Sequence, residues 1–266
     1  MYSKKNKFSK PLKIIKIGGN IINDDQALQK FITDFANIDS LKILVHGGGH
    51  SASNLSEQLG VKVNKIDGRR ITDQATLDVI TMVFAGKINK TIIAKLQAEN
   101  CNAIGLSGAD GNAIKSVKRP VKPIDFGFVG NVKQVNTNFI ELLLKEEFIP
   151  VFCAITHDNN GLLLNTNADT IASELAMGLA NMYQTELYYC FEKKGVLTNV
   201  HDEDSVIKNL DFKLYKDLKQ SGQIAEGMIP KLDNSFNALH QKVNKVSIGQ
   251  PEMIFKSNSI FTTLKL

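Results

Sequence analysis

No apolar run in this sequence approaches the ~20 residues that a membrane-spanning helix needs. The first fifteen residues contain no apolar core followed by a small-residue cleavage site. These absences argue for a cytoplasmic chain with no membrane partner. Cysteine is scarce: Cys101, Cys153 and Cys190 are odd in number, far apart and each set in an apolar segment. That suits buried free thiols in a reducing compartment and argues against a zinc site. Several catalytic signatures are also missing. There is no GxxxxGKS/T phosphate loop, no GxGxxG and no HExxH, and Gly105-Leu106-Ser107-Gly108-Ala109 fails the GxSxG pattern at its fifth position. A Walker-type ATPase, a dehydrogenase and a serine hydrolase all lose support.

Of the 266 residues, 43% are hydrophobic and 22% charged, enough apolar material for one large core or two fused lobes. The net charge of +5 invites a nucleic-acid reading. However, Lys4, Lys5, Lys7 and Lys10 supply nearly all of the excess from a short polar leader. A solvated tail accounts for it, and no nucleic-acid partner is expected.

Apolar, β-branched runs alternate with amphipathic segments. LKIIKI (12–17), KILVH (42–46), NAIGLS (102–107), IPVFCAI (149–155) and ELYYCF (186–191) read as strands of a largely parallel sheet. Between them, ALQKFITDFANI, ATLDVITMVFAG with KINKTIIAKLQAEN, TNFIELLLKEE, NADTIASELAMGLANM and KLDNSFNALHQ carry helical spacing. A doubly wound α/β sandwich follows, with any boundary near residue 180. Two alternating patches, 61–71 and 113–135, read as hairpins that overhang the sheet as lids or edges.

Four segments carry chemistry. Lys16-Ile17-Gly18-Gly19-Asn20 ends the first strand with two glycines that let backbone N–H groups approach an anion, although an ordinary strand-to-helix turn has the same composition. His46-Gly47-Gly48-Gly49-His50 follows the second strand, and three consecutive glycines cost entropy that a plain turn does not require. A helix beginning near Ser51 points free N–H groups and its positive dipole end at a carboxylate or phosphate. Asn165-Thr166-Asn167-Ala168-Asp169 crowds three polar side chains at one helix start, where a single cap explains only one of them. Finally, SGQIAEGMIPK leads into a helix with Lys231 just after Pro230. A cation there meets the unfavourable end of the helix dipole unless a bound anion offsets it.

Together KIGGN, VHGGGH, GRRIT, GLSGADGN, LNTNADTIA and EGMIPK resemble, in order and spacing from about residue 12 to the end, the motifs of the amino-acid kinase superfamily. Within it they are similar to those of the N-acetylglutamate kinases. The resemblance implies a three-layer αβα sandwich with a central, mainly parallel sheet and two lobes sharing that sheet. Behind a basic leader (1–11), residues 12–180 form the lobe for the acylglutamate and 181–266 the lobe for ATP, with reaction between them. It implies transfer of the γ-phosphoryl group of ATP, with Mg²⁺ carried by the nucleotide and no metal site of the chain's own, onto the γ-carboxylate of N-acetylglutamate.

By position, Lys16 and Lys231 match the lysines that neutralise the transferring phosphoryl group, and Asp169 the aspartate that holds both ammonium groups. Gly18, Gly19, Gly48 and Gly49 match backbone donors, with Gly47 in the same phosphate-side glycine run. Arg70 and Asn165 match the clamp on the substrate α-carboxylate, and Arg69 is only the neighbour. Glu192, Lys193 and Gly195 fall in the nucleotide loop, with Gly227 and Met228 beside it; many relatives carry an Asp and a Ser-like residue where this chain has Glu192 and Lys193.

Glutamate 5-kinases and aspartokinases usually carry a further C-terminal domain, and a uridylate kinase needs nucleobase recognition in place of Arg70 and Asn165. Within the branch, N-succinylglutamate is the alternative acceptor, with Phe84 and Ala85 among the residues that could decide it. A non-catalytic nucleotide or effector sensor of the same fold is the reading from another class. The lysine-rich leader lacks an amphipathic pattern, so a homodimer insensitive to arginine is expected.

Overall fold

The computed structural model describes residues 11–66, 68–199, 201–224 and 226–266, with only the backbone of Glu226. The leader lysines read above lie outside these residues. The chain groups into two compact units, neither a single stretch of sequence. Among the described residues, the first comprises Lys16–Asn37 and Leu44–Ile171; the second comprises residues 11–15, Ile38–Ile43 and Ala172–Leu266.

In the first unit, Ile149–Phe152 pairs in parallel with Leu41–His46 on one side and Ala103–Leu106 on the other. Ile43, Leu44, Val45 and His46 are fully buried, which explains the unbroken apolar run: a parallel strand covered on both faces has no solvent side to alternate with. Helix Asp25–Ala36 is capped by Asp24, which accepts from the N–H groups of Gln26 and Ala27, and it buries Leu28, Phe31, Ile32 and Phe35 at helical spacing. Asn136 caps Thr137–Lys145 in the same way by accepting from Phe139 N–H, and Ile140, Leu143 and Leu144 face inward. A second sheet runs in the order Leu163–Asn165, Ile155–His157, Ile114–Lys118, Gly130–Val135. Lys65–Ile66 and Arg69–Arg70 form a small hairpin of their own.

In the second unit the order is Asn209–Asp211, Thr262–Lys265, Lys245–Gly249, Thr185–Cys190 and then the Leu12–Ile17 strand. Pairings with defined registers are parallel except that of Lys245–Gly249 with Thr262–Lys265. Helices Phe212–Gln220 and Ile229–His240 meet through the stacked rings of Tyr215 and Phe236, 5.1 Å apart.

Three features depart from the sequence reading. IPVFCAI is not one strand: Cys153 N–H still donates to Leu106 O, but Ala154 O accepts from Thr166 N–H and Ile155 pairs with Asn165, so the chain leaves one sheet for another there. The helix expected from 75 to 100 contains a π segment, Met82–Ile88, between Gln74–Thr81 and Asn89–Ala98. The 113–135 hairpin is built into the second sheet through Lys115 and His157.

Candidate active site

In the first unit, Lys16, next to last in strand Leu12–Ile17, has its Nζ 2.8 Å from Asp169 Oδ1, with both side chains mostly buried. Asn167, not Asp169, caps helix Ala168–Leu179: its Oδ1 accepts from Asp169 N–H at 2.7 Å and Thr170 N–H at 3.3 Å. Of the three crowded polar residues, Asn167 therefore closes the helix, Asp169 orients the lysine, and Asn165 points elsewhere. Its Nδ2 donates to Thr72 Oγ1 at 3.0 Å, immediately after the Arg69–Arg70 strand.

The glycine run docks beside this pair. Gly47 N–H donates to Ile17 O at 3.3 Å, and a Cβ on Gly47 would sit 4.0 Å from that of Ala168. Gly18 precedes a single helical turn, Gly19–Ile22, and a Cβ on Gly19 would lie 3.9 Å from His50 Cβ, so the two glycine segments face each other. Helix Gly49–Gln58 starts two residues before the expected Ser51 and has no side-chain cap. Its first-turn N–H groups are thus available to an anion. Gly48 is the strictest requirement: φ is +157°, and a Cβ would fall 2.4 Å from Ile88 Cδ1 and 2.9 Å from Phe84 Cδ1, both of the π segment.

Arg70 is held against the same helix start. Its Nη2 donates to Gly49 O at 2.9 Å and to Ser53 Oγ at 2.8 Å, whereas Nη1 is buried with no partner among the described residues. Burial pulls its pKa below the ordinary arginine value, yet a guanidinium remains charged at any physiological pH. A buried donor left open costs free energy that a carboxylate ligand recovers. Lys16, Asp169, Arg70 and the three glycines of the run therefore form one linked cluster, and Asn165 joins it through Thr72.

The second unit carries a cavity of about 320 Å³ whose walls include Glu192, Lys193, Gly195, Gly227, Met228 and Lys231, all named from the sequence. Val196, Leu197 and Ile224 add apolar surface suited to a flat heterocycle. Lys231 lies in the first turn of Ile229–His240, whose start carries no acidic residue, with Nζ 4.7 Å from the centre of the Tyr189 ring. The ring face offsets part of the unfavourable helix-dipole end that Lys231 meets there. Two of the residues read as a nucleotide loop from the sequence have other attachments. Lys193 Nζ is paired with Glu203 at 2.6 Å in the open, and Gly195 is required by packing, since a Cβ would meet Thr262 Oγ1 at 2.6 Å.

Sequence reasoning missed the supports. Thr72, Ser53, Asn89 and Ile88 carry no local signature, because they act through contacts remote in sequence, and the sequence marks Phe84 only as a residue that could decide the acyl group, not as the packing partner of Gly48. The Phe212–Gln220 helix was discoverable: Asp211 precedes it as a cap, and Tyr215 and Leu218 are spaced for one buried face.

The profile of the amino acid kinase family matches residues 11–250. The chain belongs to the amino acid kinase family. It is 53% identical over 244 residues to an acetylglutamate kinase of Cytophaga hutchinsonii, covering 91% of this chain and 92% of that protein. It is 51% identical over 237 residues to an acetylglutamate kinase of Phocaeicola vulgatus, covering 89% and 92%. Among solved structures, the smu.665 protein of Streptococcus mutans UA159 superposes with a TM-score of 0.80 at 24% identity over 96% of this chain and 98% of its own. Carbamate kinase from Giardia lamblia bound to AMP-PNP gives 0.72 at 12% identity over 96% and 98%. The amino acid kinase fold, a mostly parallel mixed sheet with helices on both sides, is thereby established for this chain.

Proposed function

We propose that the protein is an acetylglutamate kinase, transferring the γ-phosphoryl group of ATP to the γ-carboxylate of N-acetyl-L-glutamate to give N-acetylglutamyl 5-phosphate and ADP, a step of arginine biosynthesis. The observation that carries the reading is Arg70. A guanidinium anchored through Nη2 to Gly49 O and Ser53, with Nη1 buried and open, is built to grip a carboxylate of a small substrate beside an anion cradle.

The acceptor carboxylate is ionised at neutral pH, so no general base is needed. Alignment and charge neutralisation do the work. Lys16, aimed by Asp169, and the N–H groups of Gly48 and Gly49 receive the acceptor and the charge on the phosphoryl oxygens. Lys231 offsets charge on the phosphates of a nucleotide whose base lies against Val196, Leu197 and Ile224. ATP brings Mg²⁺ as its counter-ion. The protein works as a homodimer in the cytoplasm, which predicts a sedimentation mass twice that of the 29.4 kDa chain.

Steady-state kinetics separate the roles. Arg70→Lys keeps the charge but loses the bidentate fork. It should raise KM for N-acetylglutamate on the order of tenfold or more, the loss of one charge-assisted hydrogen bond, with KM for ATP unchanged. Lys231→Ala should instead lower kcat on the order of a hundredfold. An unchanged kcat removes Lys231 from the mechanism, and an unchanged KM removes Arg70 from the clamp.

A further inference from the structure

Beneath the glycine run lies a buried polar chain that the proposed mechanism does not use. His46 is fully buried and Asn89 is 1% exposed, on strand Leu41–His46 and at the end of the π segment respectively. Asn89 Nδ2 lies 3.0 Å from Val151 O and 3.1 Å from His46 Nε2. A carbonyl only accepts, so the atom facing Val151 must be the amide nitrogen, and its second hydrogen points to His46 Nε2. His46 Nε2 is therefore the unprotonated ring nitrogen, and Nδ1 carries the hydrogen. Nδ1 lies 2.8 Å from Gly47 O, another pure acceptor, so both ends of the chain assign the same tautomer independently.

Gly47 C=O and Gly48 N–H belong to one planar trans peptide and point in opposite directions. Holding the carbonyl toward the buried imidazole turns the Gly48 N–H away from it. That N–H makes no hydrogen bond among the described residues. Phe84 and Ile88 pack against Gly48 so closely that a Cβ there would fall 2.9 Å and 2.4 Å from their Cδ1 atoms. Gly105 is part of the device: a Cβ there would lie 1.9 Å from Asn89 Oδ1, so only glycine admits the amide.

We propose that His46 and Asn89 are positioning residues that fix the Gly47–Gly48 peptide so that the Gly48 N–H is preset toward the acceptor carboxylate and the arriving phosphoryl group. The assignment rests on the acetylglutamate kinase reading above for what Gly48 binds. Burial holds the imidazole neutral, with its pKa pushed down to about 4, so the tautomer persists across the working pH range.

The direct test is the ¹⁵N spectrum of the imidazoles in the wild-type protein, which needs no variant to fold. His46 should show the Nδ1–H tautomer, and an Nε2–H tautomer overturns the proposal. Kinetics supply the second arm. His46→Asn keeps an N–H donor at the position of Nδ1 and should retain kcat within about threefold, whereas His46→Leu should lower it on the order of tenfold or more, toward the cost of losing an oxyanion donor. Both variants lose the Asn89 bond, so a merely structural role would reduce both alike, and equal kcat values in the two sink the idea. Absence of turnover by the wild-type protein, with the Nδ1–H tautomer observed, would refute the kinase reading and not the peptide's orientation.

Discussion

At the scale of single residues, the site depends on which polar groups are left over after the fold has satisfied the rest. Asn167 caps the helix while Asp169 pairs with Lys16, and Gly49 O and Ser53 occupy Arg70 Nη2 while Nη1 has no partner among the described residues. His46 adds a pH dependence to stability. Its pKa is lowered from 6.5 to about 4, so the unfolded chain takes up a proton before the folded one does. The contribution of neutral His46 is complete above about 6.5, is lost progressively as pH falls toward 4, and is constant below that. The shift corresponds to roughly 3 kcal/mol. Urea unfolding at pH 7.5 and 4.5 should show a larger acid loss for the wild-type protein than for His46→Asn, and equal losses would mean that His46 titrates normally in the fold.

At the scale of elements, the glycine run and the π segment form one piece of construction. Three glycines announce a close approach in the sequence, but nothing local says that Phe84 and Ile88 are what approaches Gly48. Gly48→Ala places a methyl group against both side chains at an unfavourable φ. It should cost about 2 kcal/mol or more, the usual scale for overpacking, seen as a lower Tm, and should abolish most activity. A variant with wild-type Tm would show that the π segment yields readily.

The sequence displayed the strands Leu12–Ile17, Leu41–His46 and Thr185–Cys190 because buried parallel strands are continuous apolar runs, and it displayed the capped helices because caps and spacing are local. It hid the turn from one sheet to another at Cys153–Ala154, since an apolar run reads the same whichever sheet it joins. It also hid the short C-terminal strands Lys245–Gly249 and Thr262–Lys265, whose apolar stretches are too brief and too mixed with polar residues to stand out. The π segment was invisible because its apolar spacing is close to that of an α-helix over seven residues.

At the scale of the whole molecule, one unit carries Arg70, the glycine run and the Lys16–Asp169 pair, and the other carries the apolar cavity with Lys231 at its lining. A phosphoryl transfer between two anions calls for both kinds of equipment, one to align the acceptor and one to hold the donor. A sensor has less use for the first. The most direct measurement is coupled ADP release with MgATP against N-acetylglutamate, N-succinylglutamate, free glutamate, aspartate and uridine monophosphate. The account predicts turnover with N-acetylglutamate well above that with every other acceptor. Turnover confined to another acceptor, or none with any of them from folded protein that still binds ATP, would contradict it.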